Sequence, residues 1–161
     1  MDELIAIAGE IAEILVARGE TVAVADSSGG GLVSAALLAV PGASRYFIGG
    51  AVTYTGRARD TFLAPDRGAM EGLRSSSEPY AAMLAAHARS RLGTDWGLAE
   101  TGAAGPSGNR YGDAPGHTCL AVDGALRRVT TLETGSADRA ANMMAFAAAA
   151  LTLFRDTLRA L

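Results

Sequence analysis

The sequence predicts an α/β fold, a three-layer α/β/α sandwich with a mixed central sheet, and three observations carry that expectation. Segments with helical apolar spacing alternate with short β-branched or aromatic runs from Leu4 to Thr101, the order that builds parallel strands with covering helices. Within that order, Thr21 to Val40 reads as a strand, a tight glycine turn and a helix. Finally, the β-runs His117 to Asp123 and Arg127 to Glu133 meet across Gly124-Ala125, and a hairpin makes that part of the sheet antiparallel.

Each element follows from its residues. Leu4, Ile7, Ala8, Ile11, Ile14 and Leu15 recur at spacings of three and four, which predicts an amphipathic first helix ending near Gly19. Thr21 to Ala25 is the first strand. A helix from Gly30 to Ala39 is stopped by Pro41-Gly42. Arg45 to Tyr54 is aromatic and β-branched around Gly49-Gly50, a strand approached closely by another backbone or a ligand. A short helix precedes Pro65. Ser75-Ser76-Ser77-Glu78 has the capping-box pattern, and Pro79 suits the first turn of a helix running to Arg91. Trp96 to Thr101 is the next strand. Gly102 to Gly116 holds five glycines and two prolines in fifteen residues, a loop long enough to suggest function. After the hairpin, Ser136 opens a last helix whose apolar face uses Met143, Phe146, Ala147, Ala150, Leu151 and Phe154. Neither repeats nor linkers interrupt this order, so a single domain over residues 1–161 is expected.

Composition narrows the function classes. With Lys+Arg 14 against Asp+Glu 17, a net charge of −3 and a pI near 5.3, the chain has no electrostatic footprint for nucleic acid. The apolar run Met143 to Phe154 is too short to span a bilayer, which takes about 20 helical residues, so no membrane partner is expected. The acidic start at Asp2-Glu3 lacks the basic region of a secretory signal, and a cytoplasmic protein is expected. Cys119 alone forms no internal disulfide and reads as a buried small hydrophobe. His87, His117 and Cys119 have no metal-ligand spacing, and neither a metal nor a cofactor is expected. All fourteen basic residues are arginine. That matters chemically, because lysine can lose its proton and arginine cannot.

The candidate site centres on Ala25-Asp26-Ser27-Ser28-Gly29-Gly30-Gly31. Serine before a helix either caps it or acts as a nucleophile whose oxyanion the helix N–H groups stabilise. A dinucleotide fingerprint begun at Gly29 fails at Ser34, and a phosphate-binding P-loop fails for want of lysine. In open α/β sheets ligands gather at strand carboxyl ends, which is where the Ser27 turn, the Tyr54-Thr55 corner and Thr101 fall. Asp26 either holds a hydroxyl or cation or bonds nearby turn N–H groups; Tyr54 either meets ligand or packs in the core; Thr101 either binds ligand or ends its strand. His87, on a helix amid alanines, reads as structural, whereas His117 is placed to act as a general base for Ser27.

These blocks together resemble the C-terminal domain of the CinA family, the nicotinamide-nucleotide amidase module. Its Ala-Glu-Ser-Cys-Thr-Gly-Gly signature is similar to Ala25 through Gly31, and Val-Pro-Gly-Ser-Ser to Val40-Pro41-Gly42-Ala43-Ser44. Tyr46 through Tyr54, Ser77-Glu78-Pro79 and Thr101 through Gly108 match three further blocks, so the likeness spans nearly the whole chain. The resemblance implies metal-independent hydrolysis of nicotinamide mononucleotide to nicotinic acid mononucleotide and ammonia. Ser27 aligns with the nucleophile, Tyr54 and Thr101 with site residues, and Arg59 with the lysine that activates the serine. Asp26, Ser28, Gly29, Gly30, Gly31, Gly50, Gly102, Gly105, His117 and Arg139 complete the expected substrate-binding set. A homodimer is expected from family likeness.

This chain departs from the family where the chemistry is done. Tyr-Ser-Asn-x-x-Lys is here Tyr54-Thr55-Gly56-Arg57-Ala58-Arg59, and an arginine does not take a serine proton at neutral pH. Gly-Asp-Arg before the last helix is Gly135-Ser136-Ala137, with Arg139 as the replacement, and the cysteine beside the serine is Ser28. Two expectations follow. One is an active amidase in which Tyr54, Asp26 or His117 handles the proton and the turn N–H groups hold the oxyanion. The alternative is a regulatory module that binds a pyridine nucleotide without turnover. In either case Ser27, Tyr54, Arg59 and Thr101 are expected to share one pocket.

Overall fold

Side-chain size alternates along the strands and decides which layer sits on which face. In the computed structural model, which describes residues 1–161, strand β1 (Val22–Asp26) points Val22 and Val24 one way and Ala23 and Ala25 the other. Strands β3 (Trp96–Ala103) and β4 (His117–Asp123) repeat the division. Trp96, Leu98, Leu120 and Val122 join the valines, while Ala99, Cys119 and Ala121 join the alanines. The bulky face is covered by helices α1 (Asp2–Arg18), α2 (Leu32–Ala39) and α6 (Arg139–Arg159), through Leu4, Ile11, Leu15, Leu37, Leu151 and Phe154. Trp96 is wholly buried there, edge-on to Phe154 at 5.8 Å between ring centres, and its indole N–H donates to Glu20 at 2.8 Å.

The alanine face takes one helix, α5 (Glu78–Leu92), packed through Tyr80, Met83, Leu84 and Ala88. Small residues let it approach the sheet closely. A Cβ on Gly97 would run into the Ala85 carbonyl and come within 3.0 Å of the Arg89 Cβ.

The sheet order is β2-β1-β3-β4-β5, with β2 at Phe47–Val52 and β5 at Arg128–Glu133. Strand β1 pairs in parallel with both β2 and β3, and β3, β4 and β5 pair antiparallel, so the sheet is mixed as the hairpin predicted. From β1 the chain crosses one face through α2 to β2. It then returns through α3 (Gly56–Phe62), α4 (Arg67–Met70) and α5 on the opposite face to β3. The strand order therefore reverses between β1 and β3, and their carboxyl ends flank the crevice where such sheets bind ligands.

Several boundaries move from their predicted places, each for a local reason. Strand β3 runs on to Ala103 because Gly102 and Ala103 pair with Thr118 and His117, so Thr101 is interior rather than terminal. Strand β2 stops at Val52. Tyr46 lies before it, buried with its hydroxyl donating to the Leu37 carbonyl at 2.5 Å, and Tyr54 lies beyond it, exposed. The capping box does not form as predicted: Ser77 caps α5 by accepting the Tyr80 N–H, which puts Pro79 in the first turn. The last helix is capped by Asp138, not opened by Ser136, whose hydroxyl accepts the Asp138 N–H instead. No helix is long and apolar enough to cross a membrane.

The close approach of α5 predicts opposite results at two glycines. Gly97→Ala destabilises by about 1–3 kcal/mol through overpacking. Gly9→Ala, inside α1 with no heavy atom within 4 Å of its new Cβ, stabilises by about 0.5–1 kcal/mol. Urea unfolding of the two variants checks both signs.

Candidate functional site

The Ser27 turn is built on two carboxyl groups that point inward. Asp26 ends β1 fully buried, and its Oδ2 accepts the N–H groups of Gly31 at 3.0 Å and Val33 at 3.3 Å. It thereby satisfies the start of α2, where Gly31 at the cap position has a φ of 91° and no side chain to do so. Its Oδ1 meets no donor. From β3, Glu100, 1% exposed, reaches the same turn. Its Oε2 accepts the N–H groups of Ser27 at 3.2 Å and Gly29 at 2.7 Å, and its Oε1 accepts the hydroxyls of Ser28 at 2.5 Å and Thr118 at 2.6 Å. Gly29 is needed for contact: a Cβ there would lie 2.6 Å from Asp26 Oδ1 and 3.3 Å from Glu100 Oε2.

The turn N–H groups of Ser27, Gly29, Gly31 and Val33 are spent on the two interior carboxyl groups, and the Gly30 N–H on the Ser27 carbonyl at 3.1 Å. The Ser28 N–H is not among these bonds, so the expectation of oxyanion donors at the turn narrows to that group. Ser27 itself is half-buried and enters the network through its backbone.

A second cluster joins Tyr54, Gly105 and Arg139. The Arg139 guanidinium donates to the Gly105 carbonyl at 2.5 Å and to the Tyr54 hydroxyl at 3.1 Å, with its carbon 6.0 Å from the Tyr54 ring centre. Asn142, one turn along α6, is buried and donates to the carbonyls of Ala104 and Ser136, both at 2.8 Å, which pins the long loop to the helix start. Met143 links this cluster to the first, since its Cε lies 2.7 Å from where a Gly30 Cβ would stand.

A third cluster clamps Ser76. Thr101, 2% exposed, accepts the Ser76 N–H at 3.3 Å; His117 Nε2 donates to the Ser76 carbonyl at 2.8 Å, and the Cys119 thiol points at the same oxygen at 3.5 Å. His117 Nδ1 bonds to the Glu133 carboxylate, and Asp113 Oδ2 lies 3.7 Å from Nε2. Burial works against charge on this ring, yet Glu133, the Ser76 carbonyl and Asp113 outweigh it and raise its pKa above 6.5. With both nitrogens donating, the imidazole has no lone pair to offer Ser27, so the general-base role read from the sequence is not the one its bonds describe. His87 is structural in the expected sense, half-buried with Nδ1 bonded to the Met83 carbonyl at 2.9 Å.

Arg59 and Gly50 border two further cavities. Arg59 donates to the Tyr80 hydroxyl at 3.1 Å and to Asp60 at 2.8 Å. The cleft beside it, about 620 Å³, is lined by Asp60, Pro65, Arg67, Gly68, Met70 and Glu71, and by none of Ser27, Tyr54 or Thr101. Gly50 packs on Ser34 and borders a different cavity of about 240 Å³ with Phe62 and Leu92. Gly102 is required for packing, since a Cβ there would strike the His117 carbonyl. Two functional side chains went unread in the sequence. Glu100 had a visible signal, a lone carboxylate inside the apolar run Trp96 to Thr101, whereas Asn142 had none.

Fold and site together define an α/β/α domain of the doubly wound kind, with a serine on the strand-to-helix turn beside the point where strand order reverses. The model of the CinA C-terminal domain matches residues 4–158, and the chain belongs to that family. A CinA-like protein of Gloeobacter violaceus is 42% identical over 125 residues, 76% of this chain and 29% of the relative. One from Salinibacter ruber is 35% identical over 148 residues, 92% of this chain and 36% of the relative. The chain thus spans about a third of the curated relatives it matches. Among solved structures, a competence-damaged protein (CinA) superfamily protein from Klebsiella pneumoniae superimposes with a TM-score of 0.90 at 22% identity, over 98% of this chain and 99% of the other. The competence/damage inducible protein CihA from Agrobacterium tumefaciens gives 0.86 at 26% identity, over 98% and 96%.

The raised pKa of His117 fixes a sign. A base whose folded pKa exceeds its unfolded value of about 6.5 contributes stability that is complete below that value and lost as pH rises through the folded pKa. Urea midpoints of the native chain therefore fall as pH is raised from 6.5 upward, and His117→Gln removes that part of the decline.

Proposed function

We propose that this domain binds a pyridine mononucleotide at the Ser27 turn and is a nucleotide-binding module with turnover far below that of a lysine-bearing amidase. The supporting observation is Arg59. It stands where the family resemblance places the activating lysine, and its guanidinium is committed to Tyr80 and Asp60. Burial alone would ease its proton off, but those two partners outweigh burial and hold the charge more firmly. Two of the other proton acceptors named from the sequence are also committed: Tyr54 accepts from Arg139, and His117 donates from both nitrogens. The third, Asp26, accepts backbone N–H groups on Oδ2 and turns its free Oδ1 inward beneath Gly29. A positioned general base contributes about 10²–10⁴ in rate, which is the deficit expected here.

One observation favours a second reading, an active amidase acting on nicotinamide mononucleotide. Ser27 contributes only backbone groups to the turn, so its hydroxyl is left for a substrate.

Incubation with nicotinamide mononucleotide, reading ammonia release and thermal stability together, separates the two. The binding reading expects ammonia near background and stabilisation of about 2.7 kcal/mol at a hundredfold excess over Kd, a shift of about 5–10 °C for a domain this size. Ser27→Ala keeps the shift, and Arg59→Lys raises ammonia release at least tenfold. Rapid release by the native chain that Ser27→Ala abolishes would establish the amidase instead. The absence of both a thermal shift and ammonia release at millimolar nucleotide would sink both readings.

A further inference from the structure

We propose that Asp26 and Glu100 hold one proton between them, carried on Asp26 Oδ1 and donated to Glu100, and that this proton is a positioning device for the Ser27-Ser28-Gly29 turn. Both carboxyl groups are buried, at 0% and 1% exposure, and neither takes part in an ion pair. Two ionised carboxylates enclosed together without a cation are strongly unfavourable, and protonating one removes the repulsion and supplies a donor.

The bonds say which one is protonated. Glu100 receives two donors on each oxygen, as a carboxylate does. Asp26 receives two N–H groups on Oδ2, while Oδ1 is the one buried side-chain polar atom in the chain without a partner. That orphaned oxygen and Glu100 Oε2 converge on the space a side chain at residue 29 would fill, 2.6 Å and 3.3 Å from its Cβ position. A proton on Oδ1 turns the orphan into a donor. Burial first, then the Glu100 charge, push Asp26 up to about 7.

The groups around Asp26 leave Glu100 as its charged neighbour. Thr53, just beyond β2, gives its N–H and hydroxyl to the Asp26 carbonyl, the start of α2 contributes the Gly31 and Val33 N–H groups, and β4 contributes the Thr118 hydroxyl to Glu100. Because Glu100 Oε2 holds the Ser27 and Gly29 N–H groups, loss of the shared proton sets two anions against each other at the atom that shapes the turn. The inference rests on the nucleotide-binding reading only in treating that turn as a ligand site.

Asp26→Asn is the conservative replacement: its amide oxygen accepts the Gly31 and Val33 N–H groups, and its NH₂ donates to Glu100 at every pH. Carbonyl ¹³C NMR of Asp- and Glu-labelled, ligand-free protein should find one buried carboxyl protonated at pH 6, titrating near neutrality and absent from Asp26→Asn. After correction for intrinsic base catalysis, the Ser27 and Gly29 amides should lose at least tenfold in exchange protection between pH 6 and 9 in the native chain and stay protected in Asp26→Asn. Two ionised carboxylates at pH 6, or the same pH response in both proteins, would overturn the proposal. The native-chain titration needs no variant to fold, and none of these readouts needs nucleotide. A chain that titrates this way but ignores nicotinamide mononucleotide keeps the pair and loses only the binding reading.

Discussion

Four donors from two parts of the chain converge on the carboxylate of Glu100, and the geometry of the candidate site depends on that convergence. Ser27, Ser28 and Gly29 come from the turn after β1, Thr118 from β4, and Glu100 itself from β3. A side chain this enclosed is tolerated only when its lone pairs are filled. Each buried donor left without it would forfeit about 1–3 kcal/mol, so the turn cannot drift outward without losing several such bonds together. Glu100 also lies where the strand order reverses, between β1 and β3. The carboxylate thus ties the glycine turn to the sheet at the crevice.

The two faces of the sheet prepare that junction. Valine, leucine and tryptophan on one face demand three helices to cover them, while alanine and glycine on the other admit α5 at close range. Close packing of α5 brings Ser76, just before its N-terminus, against Thr101 of β3 and His117 and Cys119 of β4. Across the sheet, α6 begins over the glycine turn, and Arg139, Asn142 and Met143 successively hold Tyr54, the long loop and Gly30. Side-chain size in the strands, far from any reacting group, sets which residues meet at the crevice.

The fold was legible because its signals are local and periodic. The apolar spacing of Leu4 to Leu15, the stop at Pro41-Gly42 and the hairpin around Gly124 all report on neighbours in sequence, and the elements they predict are present. The site was legible only where it copies a family block. Glu100 stood in plain view as a charge within an apolar strand, but its meaning depends on donors 71 to 73 residues earlier in the chain. The bond from Arg59 to Tyr80 was equally beyond periodicity, since α3 and α4 lie between β2 and α5 and their docking is tertiary. Caps misread by one or two residues, at Ser77 and Asp138, come from runs offering several adjacent capping side chains of equal local merit.

A chain whose fourteen basic residues are all arginine has few ways to move a proton near neutral pH. An amine that gives up its proton on burial is ruled out by composition. Of the two histidines, His87 is bonded within α5, and His117 is bonded to Glu133 and to the Ser76 carbonyl, which favour keeping its proton. The cysteine is buried, and burial drives its thiol further from ionisation. What remains near the serine is Asp26, whose proton is held to about 7 by burial and by Glu100, and whose free oxygen faces inward beneath Gly29. A group that faces inward beneath Gly29 shapes the turn. On the nucleotide-binding reading proposed above, the proton chemistry lies in the scaffold, where Asp26 and Glu100 shape the turn that the ligand would meet.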